Sequence, residues 1–317
     1  MRLNKRSTPE GFLNVLKPYG WTSHDVVGLV RRLTQSRRVG HGGTLDPAAT
    51  GVLAVAVGRA TRLIDYMAGQ DKSYCADIVF GAATTTDDAE GTVLFARDPT
   101  GLSLEAVISS LAGFLGDVDQ VPPQYSAVKL EGRKAYEIAR KGGEAALKPR
   151  RITIKGLAVV GWEPPILSVV IRCSKGTYIR SLARDLGERL GVGAHLGALV
   201  RLASGPFDCS DSVSVEQLRM AAEFEYLDRF IYPPDLAVRQ LPAVVVAGQH
   251  GIDMLAGRPW AVRDETASHM TCRVYSDLGK FLGLAEVMDG QWQPRLVLCN
   301  PSDLSDQSDT LAPLEDA

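Results

Sequence analysis

Between residues 11 and 81 the chain alternates short apolar runs with amphipathic stretches, and each change of period marks an expected element. FLNVL at 12–16, interrupted by Asn14, reads as a strand, and GVLAVAVG at 51–58 is an unbroken apolar run of strand length, the mark of a buried strand. Between them SHDVVGLVRRLTQ places its apolar residues at helical spacing, with Thr22 or Ser23 as N-cap. RATRLIDYMAGQ then reads as a helix and SYCADIVFG as a strand. Further on, LSLEAVISSLAGFLG is a helix opened by Ser103, VPPQYSAVKLEG a turn and strand, and RKAYEIARKGG a short basic helix. RITIKGLAVVGW and LSVVIRCS predict a hairpin across the Glu163-Pro-Pro turn, SKGTYIRSLARDLGERLG a turn entering a helix, and Ser214 with Gln217 a capping box. Helices and strands alternate irregularly and hairpin turns recur. That order favours an α+β fold with a mixed sheet over a doubly wound one.

Near residues 233–242 two adjacent prolines and Pro242 bracket an expected linker. Beyond it the runs AVVVAG, RVYS, FLGLAEVM and RLVLC, separated by turn residues, predict a small β-barrel over 240–300. The segment 301–317 holds five acids and no base, with few large apolar residues, and is expected to be disordered.

Charge changes the picture once it is located. The net charge of −2 argues weakly against a polyanion partner, but without the acidic tail residues 1–300 stand at +3. Residues 129–155 hold nine Lys/Arg against three Glu, and RRLTQSRR at 31–38 adds four arginines. Such patches are either solvated surface or a polyanion footprint. The five cysteines are scattered, with no C-x-x-C pair, so neither a disulfide framework nor a zinc site is indicated, and a reducing cytoplasm is expected. No apolar run approaches the roughly 20 residues that span a bilayer.

The chemistry centres on GHGGTLDPAATG at 40–51. A phosphate-binding P-loop ends in Gly-Lys-Ser/Thr, which this loop lacks. Asp46 before Pro47 is by itself a turn residue. Its company is more specific: KPYGWTSHDVV at 17–27, the loop continuing to Leu63, KSYCADIVFGAATTTDDAEG at 72–91, PPQYSAVKLEGRKAYEIARKG at 122–142 and GTYIRSLARDLGERLG at 176–191. In this order the five stretches closely resemble the bacterial tRNA pseudouridine synthase B family.

The resemblance covers residues 11 to about 300. It implies a catalytic domain over 1–239 with a thumb-like RNA-binding insertion at 124–152, and a PUA-like RNA-binding domain over 240–300. The implied reaction breaks the bond from uracil N1 to ribose C1′, turns the base and rejoins it through C5, at uridine-55 of the tRNA T loop, without cofactor or metal. The essential nucleophile or base is then Asp46. Arg180 becomes the cation that keeps a buried carboxylate ionised, and Asp88 an acid joining that network. Tyr74 matches an aromatic that stacks on the flipped uracil and takes part in removing the C5 proton. Leu199 resembles the residue closing the other face of the base, and Tyr178 lines the pocket. His41 is either a filler of the space the uridine leaves or a structural hydrogen bonder. Lys17 is either a phosphate contact or packing of its motif. Lys129, Arg133, Lys134, Arg140 and Lys141 suit backbone phosphates.

Where the family often carries Leu-Arg-Arg, this chain has Leu199-Val200-Arg201, which removes one expected RNA contact. The GRKAYEIARKG form favours a stand-alone enzyme that needs no guide RNA; a monomer is expected, meeting the T arm of tRNA and, through its C-terminal barrel, the acceptor arm. The competing readings are an RNA-binding or tRNA-folding factor and a guide-dependent synthase.

Overall fold

The computed structural model describes residues 9–126, 128–130, 133–139, 143, 145–262 and 270–300. The expected acidic tail lies outside them.

The main sheet runs through Ile231–Tyr232, Gly11–Lys17, Thr50–Val57, Ala194–Ser204, Lys72–Phe80, Ile166–Cys173, Arg150–Glu163 and Gly116–Gln120. Val39–His41 pairs beside Thr50–Val57, and Phe207–Asp208 beside Ala194–Ser204. Every pairing is antiparallel except that of Thr50–Val57 with Ala194–Ser204, so the sheet is mixed, as the α+β pattern predicts. The unbroken apolar run at 52–57 has a physical reason. Leu53, Val55 and Val57 face the helix Ser23–Thr34, while Val52, Ala54 and Ala56 face Met67, Phe207 and Ala237. A strand covered on both faces has no polar side to show. Truncating a side chain as enclosed as Leu53 to alanine costs about 2–5 kcal/mol.

The helix Ser23–Thr34 starts at Thr22, whose hydroxyl accepts from the Asp25 backbone N–H while the Asp25 carboxylate accepts from that of Thr22. The second expected capping box, Ser214 with Gln217, opens Val215–Glu223, and Ser103 caps Leu104–Ala112. RATRLIDYMAGQ differs from a continuous helix: a 3-10 stretch, Gly58–Leu63, leads into one short α-turn, Ile64–Ala68. Of the expected basic helix the described residues show Ala135–Ala139, and its start is displaced because Arg133–Lys134 pairs with Lys129–Leu130 as a small hairpin.

The expected linker is instead part of the core. Pro234–Val238 forms a 3-10 turn whose Ala237 and Val238 are fully buried. They lie with Phe12, Met67 and Phe207 and with Leu284 and Leu298 from the C-terminal unit. That unit is a five-stranded sheet in the order Ala243–Val246, Thr271–Ser276, Phe281–Met288, Gln291–Val297, Trp260–Ala261, with the helix Gly248–Leu255 against it. It carries its own core around Met254, Val274, Leu282 and Trp292, yet shares a second one with the main sheet. Among the described residues no helix is long and apolar enough to cross a membrane.

Candidate active site

Residues 42–49 form the loop between Val39–His41 and Thr50–Val57, and it is pinned along its length. The Gly42 N–H donates to the Ala54 carbonyl at 2.9 Å, and the Ser23 hydroxyl both donates to the Leu45 carbonyl and accepts from its N–H, at 3.1 and 2.9 Å. The Pro47 carbonyl accepts from the Gly20 N–H at 2.9 Å and from Lys17 Nζ at 3.2 Å. Leu45 and Ala49 are buried. Asp46 between them projects outward, its side chain 48% exposed. The expectation of a buried carboxylate therefore needs correcting: the loop hides its apolar flanks and presents the acid.

Arg180 lies in the first turn of the helix Ile179–Arg189, where the helix dipole disfavours a cation. Four acceptors offset this. Its guanidinium stands 3.0 Å from the Asp46 carboxylate and 3.4 Å from that of Asp88, and it donates to the carbonyls of Thr86 and Tyr125 at 3.2 and 3.0 Å. Asp88 is itself oriented by the Thr86 hydroxyl and the Glu90 N–H. One turn along, Arg184 pairs with Asp87 at 2.9 Å and donates to the Val121 carbonyl, tying the same loop to the helix again. Asp46 is half open to water, and its contact with the buried Arg180 fixes its direction. The two carboxylates and the guanidinium line a cleft of about 160 Å³ together with Tyr19, Leu196 and Leu199.

The remaining expected residues fall in three groups. Tyr74 sits on Lys72–Phe80, nearly buried, outside the cleft lining, with its phenol hydrogen-bonded to Arg201; burial pushes its pKa up while the Arg201 charge opposes the rise. Tyr178 is the N-cap of the Arg180 helix, and its backbone makes two hydrogen bonds with the Gln120 amide. His41 Nδ1 accepts from the Gly43 N–H at 3.4 Å, and its ring meets that of His24 edge-on at 5.6 Å. Burial first, then His24 and Arg201, lower its pKa, so the ring is held neutral at physiological pH.

Lys17 has no exposed surface, and its ammonium donates to the carbonyls of Pro18, Trp21 and Pro47. Of its two expected roles the packing one fits this geometry; a fully enclosed ammonium does not reach a phosphate. Lys129, Arg133 and Lys134 lie on the small hairpin, and Arg140 and Lys141 fall outside the described residues. Among the described residues no three His, Cys, Asp or Glu side chains cluster as metal ligands.

Two residues here escaped the sequence reading. Tyr19, 70% exposed at the cleft, lay within KPYG but beside a more conspicuous lysine. Arg201, 1% exposed, is the largest fully buried side chain among the described residues, so the charge retained from the family's Leu-Arg-Arg points inward and is no RNA contact. Its signal was a lone arginine between apolar neighbours, in a strand not recognised as one.

A half-exposed aspartate held by a buried arginine at the edge of a cleft of base-like size is the arrangement of a ligand site with a carboxylate presented to its occupant. The comparisons give that site its chemistry. Residues 31–179 match the family described as "TruB family pseudouridylate synthase (N terminal domain)" and residues 180–239 the "tRNA pseudouridylate synthase B C-terminal domain". The chain is 41% identical over 295 residues to tRNA pseudouridine synthase B of Trichormus variabilis, covering 91% of this chain and 98% of that protein. It is 46% identical over 260 residues to that of Symbiobacterium thermophilum, covering 81% and 85%. Among solved structures it resembles a chain of a Cbf5-Nop10-Gar1 complex, with a TM-score of 0.73 and 25% identity over 92% of this chain and 86% of that one. The chain belongs to the TruB family of pseudouridylate synthases.

Proposed function

We propose that this protein converts uridine-55 of the tRNA T loop to pseudouridine, unaided by guide RNA, metal or cofactor, in the cytoplasm. The observation that carries the reading is the 3.0 Å contact of Arg180 with Asp46 at an open cleft. A pure RNA binder gains nothing from a carboxylate presented to an anionic ligand, so this feature disfavours the binding-factor alternative.

The uridine must leave its stack, which costs a few kcal/mol and explains a cleft sized for one base. Asp46 then acts as nucleophile or base on the nucleoside, held by Arg180 in the one direction that faces the cleft. Leu199 covers one face of the ring. Tyr74, just outside the cleft lining, comes to the base only as the base seats, and takes part in removing the C5 proton. Lys17, His41 and Tyr178 act through the loop and helix they hold in place. The hairpin cations with Arg140 and Lys141, and the exposed arginines Arg31, Arg32, Arg37 and Arg38, suit RNA phosphates, which position without reading sequence. In this reading residues 1–239 are the catalytic domain, with 124–152 as its RNA-gripping insertion, and 240–300 a PUA-like unit against the acceptor arm.

The test is Asp46→Asn on an unmodified tRNA transcript, with pseudouridine mapped at single-nucleotide resolution. Wild type in EDTA should modify position 55 alone. The variant should bind tRNA normally and lose at least a thousandfold in rate, about 4 kcal/mol of transition-state stabilisation. Turnover within tenfold of wild type would remove Asp46 from the chemistry. Activity appearing only with an added RNA or protein would favour the guide-dependent reading.

A further inference from the structure

Arg201 occupies the junction where three strands and the carboxylate loop meet. On Ala194–Ser204 it is paired with Tyr74 on one side and with Gly51 on the other. Gly51 has φ +104° and passes so close that a Cβ there would lie 2.2 Å from the Arg201 carbonyl oxygen. The arginine backbone and the end of the loop are thus in direct contact.

The side chain then reaches back under the loop. Nε donates to the Val52 carbonyl at 2.6 Å, Nη2 to that of Gly43 at 3.1 Å and Nη1 to that of Thr44 at 3.4 Å, and the guanidinium also bonds the Tyr74 phenol. Gly43 and Thr44 precede Asp46 by three and two residues, and Val52 follows the loop. No carboxylate pairs with Arg201 among the described residues; Tyr74 is the one group whose charge favours its ionised form.

A buried cation without an acid is costly, and an apolar side chain of similar size usually serves a core equally well. Packing alone is therefore a poor explanation of this arginine. What an apolar residue cannot do is bind loop carbonyls and a phenol with one rigid fork.

We propose that Arg201 is a positioning residue for the reaction: a buried guanidinium that joins the Asp46 loop to the Tyr74 phenol and holds the two in register. One planar group sets the backbone that aims the carboxylate and fixes the phenol oxygen. It also favours negative charge on that oxygen, which any proton transfer to it requires. Tyr74 is faced by Arg201 from Ala194–Ser204, by Cys173 from Ile166–Cys173 and by Asp46 from the loop, with Lys72 acting on both Arg201 and Cys173. Of these, Arg201 alone lowers the phenol pKa; Cys173, Asp46 and, most of all, burial raise it.

The proposal rests on the functional reading for its catalytic consequence but not for its electrostatic one, so two measurements separate them. Tyrosine is replaced throughout by 3,5-difluorotyrosine, whose phenol ionises well below that of tyrosine, and the Tyr74 resonance is assigned by ¹⁹F NMR against Tyr74→Phe. In Arg201→Gln this resonance should titrate at least one pH unit higher than in wild type; titration within 0.3 units in the folded variant would overturn the proposal.

On a T-arm stem-loop the same variant should bind within threefold of wild type but react at least a hundredfold more slowly in a single turnover. Reaction within threefold would equally sink the positioning role. If Arg201→Gln does not fold, Arg201→Lys decides. Lysine keeps the charge but loses the fork and should slow the reaction about tenfold; a wild-type rate would show that the fork positions nothing. Inactivity of the wild-type protein on the RNA would refute the functional reading while the ¹⁹F titration still tests the link.

Discussion

The rim of the cleft and the buried floor of the carboxylate loop both use arginine, and they use it oppositely. At the rim Arg180 meets two carboxylates, one of them half exposed, so charge is matched to charge where a ligand enters. At the floor Arg201 and Lys17 are enclosed and satisfied almost entirely by backbone carbonyls. Lys72, nearly as buried, donates to the carbonyls of Ala68 and Gln70. The rim is thereby chemically committed but open; the floor is costly and shut. Lys17, Lys72 and Arg201 bind carbonyls and so fix backbone, whereas Arg180 binds two carboxylates as well and so fixes side chains at the cleft. The difference predicts that rim variants lose rate while keeping stability, and floor variants lose stability first.

The sharpest way to break the floor is Gly51→Ala. Its φ of +104° disfavours any other residue, and the added methyl would overlap the Arg201 backbone at 2.2 Å, with no flexible atom to yield. The two strands must separate where they are paired in parallel. We expect a loss of at least about 4 kcal/mol, at the extreme of single substitutions, read as a collapse of the urea midpoint or as insoluble protein. A midpoint near that of wild type would mean that the junction can relax, and would weaken the claim that the floor is rigid.

Arg180→Met breaks the rim. Asp46 keeps its water contact and the loop its floor, so stability should change by only about 1–2 kcal/mol, from the unsatisfied Thr86 and Tyr125 carbonyls. The single-turnover rate should nevertheless fall at least about a hundredfold, close to 3 kcal/mol, because the carboxylate is no longer aimed. A variant that unfolded without losing rate per folded molecule would place Arg180 with the floor residues instead.

These contrasts explain which parts were legible in the chain. Asp46, Asp88 and Arg180 stand in the short contiguous motifs that carry the family resemblance, so the resemblance implied their association before any fold was known, and the structure brings the three side chains together. The strand that carries Leu199 and Arg201 could not be read in advance. Register shifts between Leu196 and Ala198 and between Arg201 and Ala203 break its alternation twice, and the apolar/polar pattern then fits no period. Residues 233–242 misled in another way. Prolines mark both linkers and tight turns, and only the burial of Ala237 and Val238 against Leu284 and Leu298 shows that this turn joins two sheets through a common core. Deleting residues 240–317 would therefore strip core from the main sheet as well as any RNA contact, and is a poor probe of either.

Lys72 offers the finest discrimination, because its effect on stability depends on pH with a sign fixed by its surroundings. Burial, followed by the Arg201 charge, lowers its pKa from 10.5 to about 8 in the folded protein. Below pH 8 the lysine is protonated in both the folded and unfolded states, and folding bears the whole cost of burying the charge, about 3 kcal/mol before its hydrogen bonds to Ala68 and Gln70 are counted. Between pH 8 and 10.5 the unfolded chain retains a proton that the folded protein has released. Stability from this group therefore rises with pH across that window, by at most about 1.4 kcal/mol per pH unit, and levels off above it. Lys72→Met removes the titration. The difference in unfolding free energy between wild type and variant, from urea melts at pH 7, 8, 9 and 10, should be constant up to pH 8 and then shift in favour of wild type. Arg201→Gln, by removing a neighbouring positive charge, should move the onset of that shift to higher pH. If the difference stays flat from pH 7 to 10, Lys72 carries no buried charge, and the floor loses one of the three cations that set it apart from the rim.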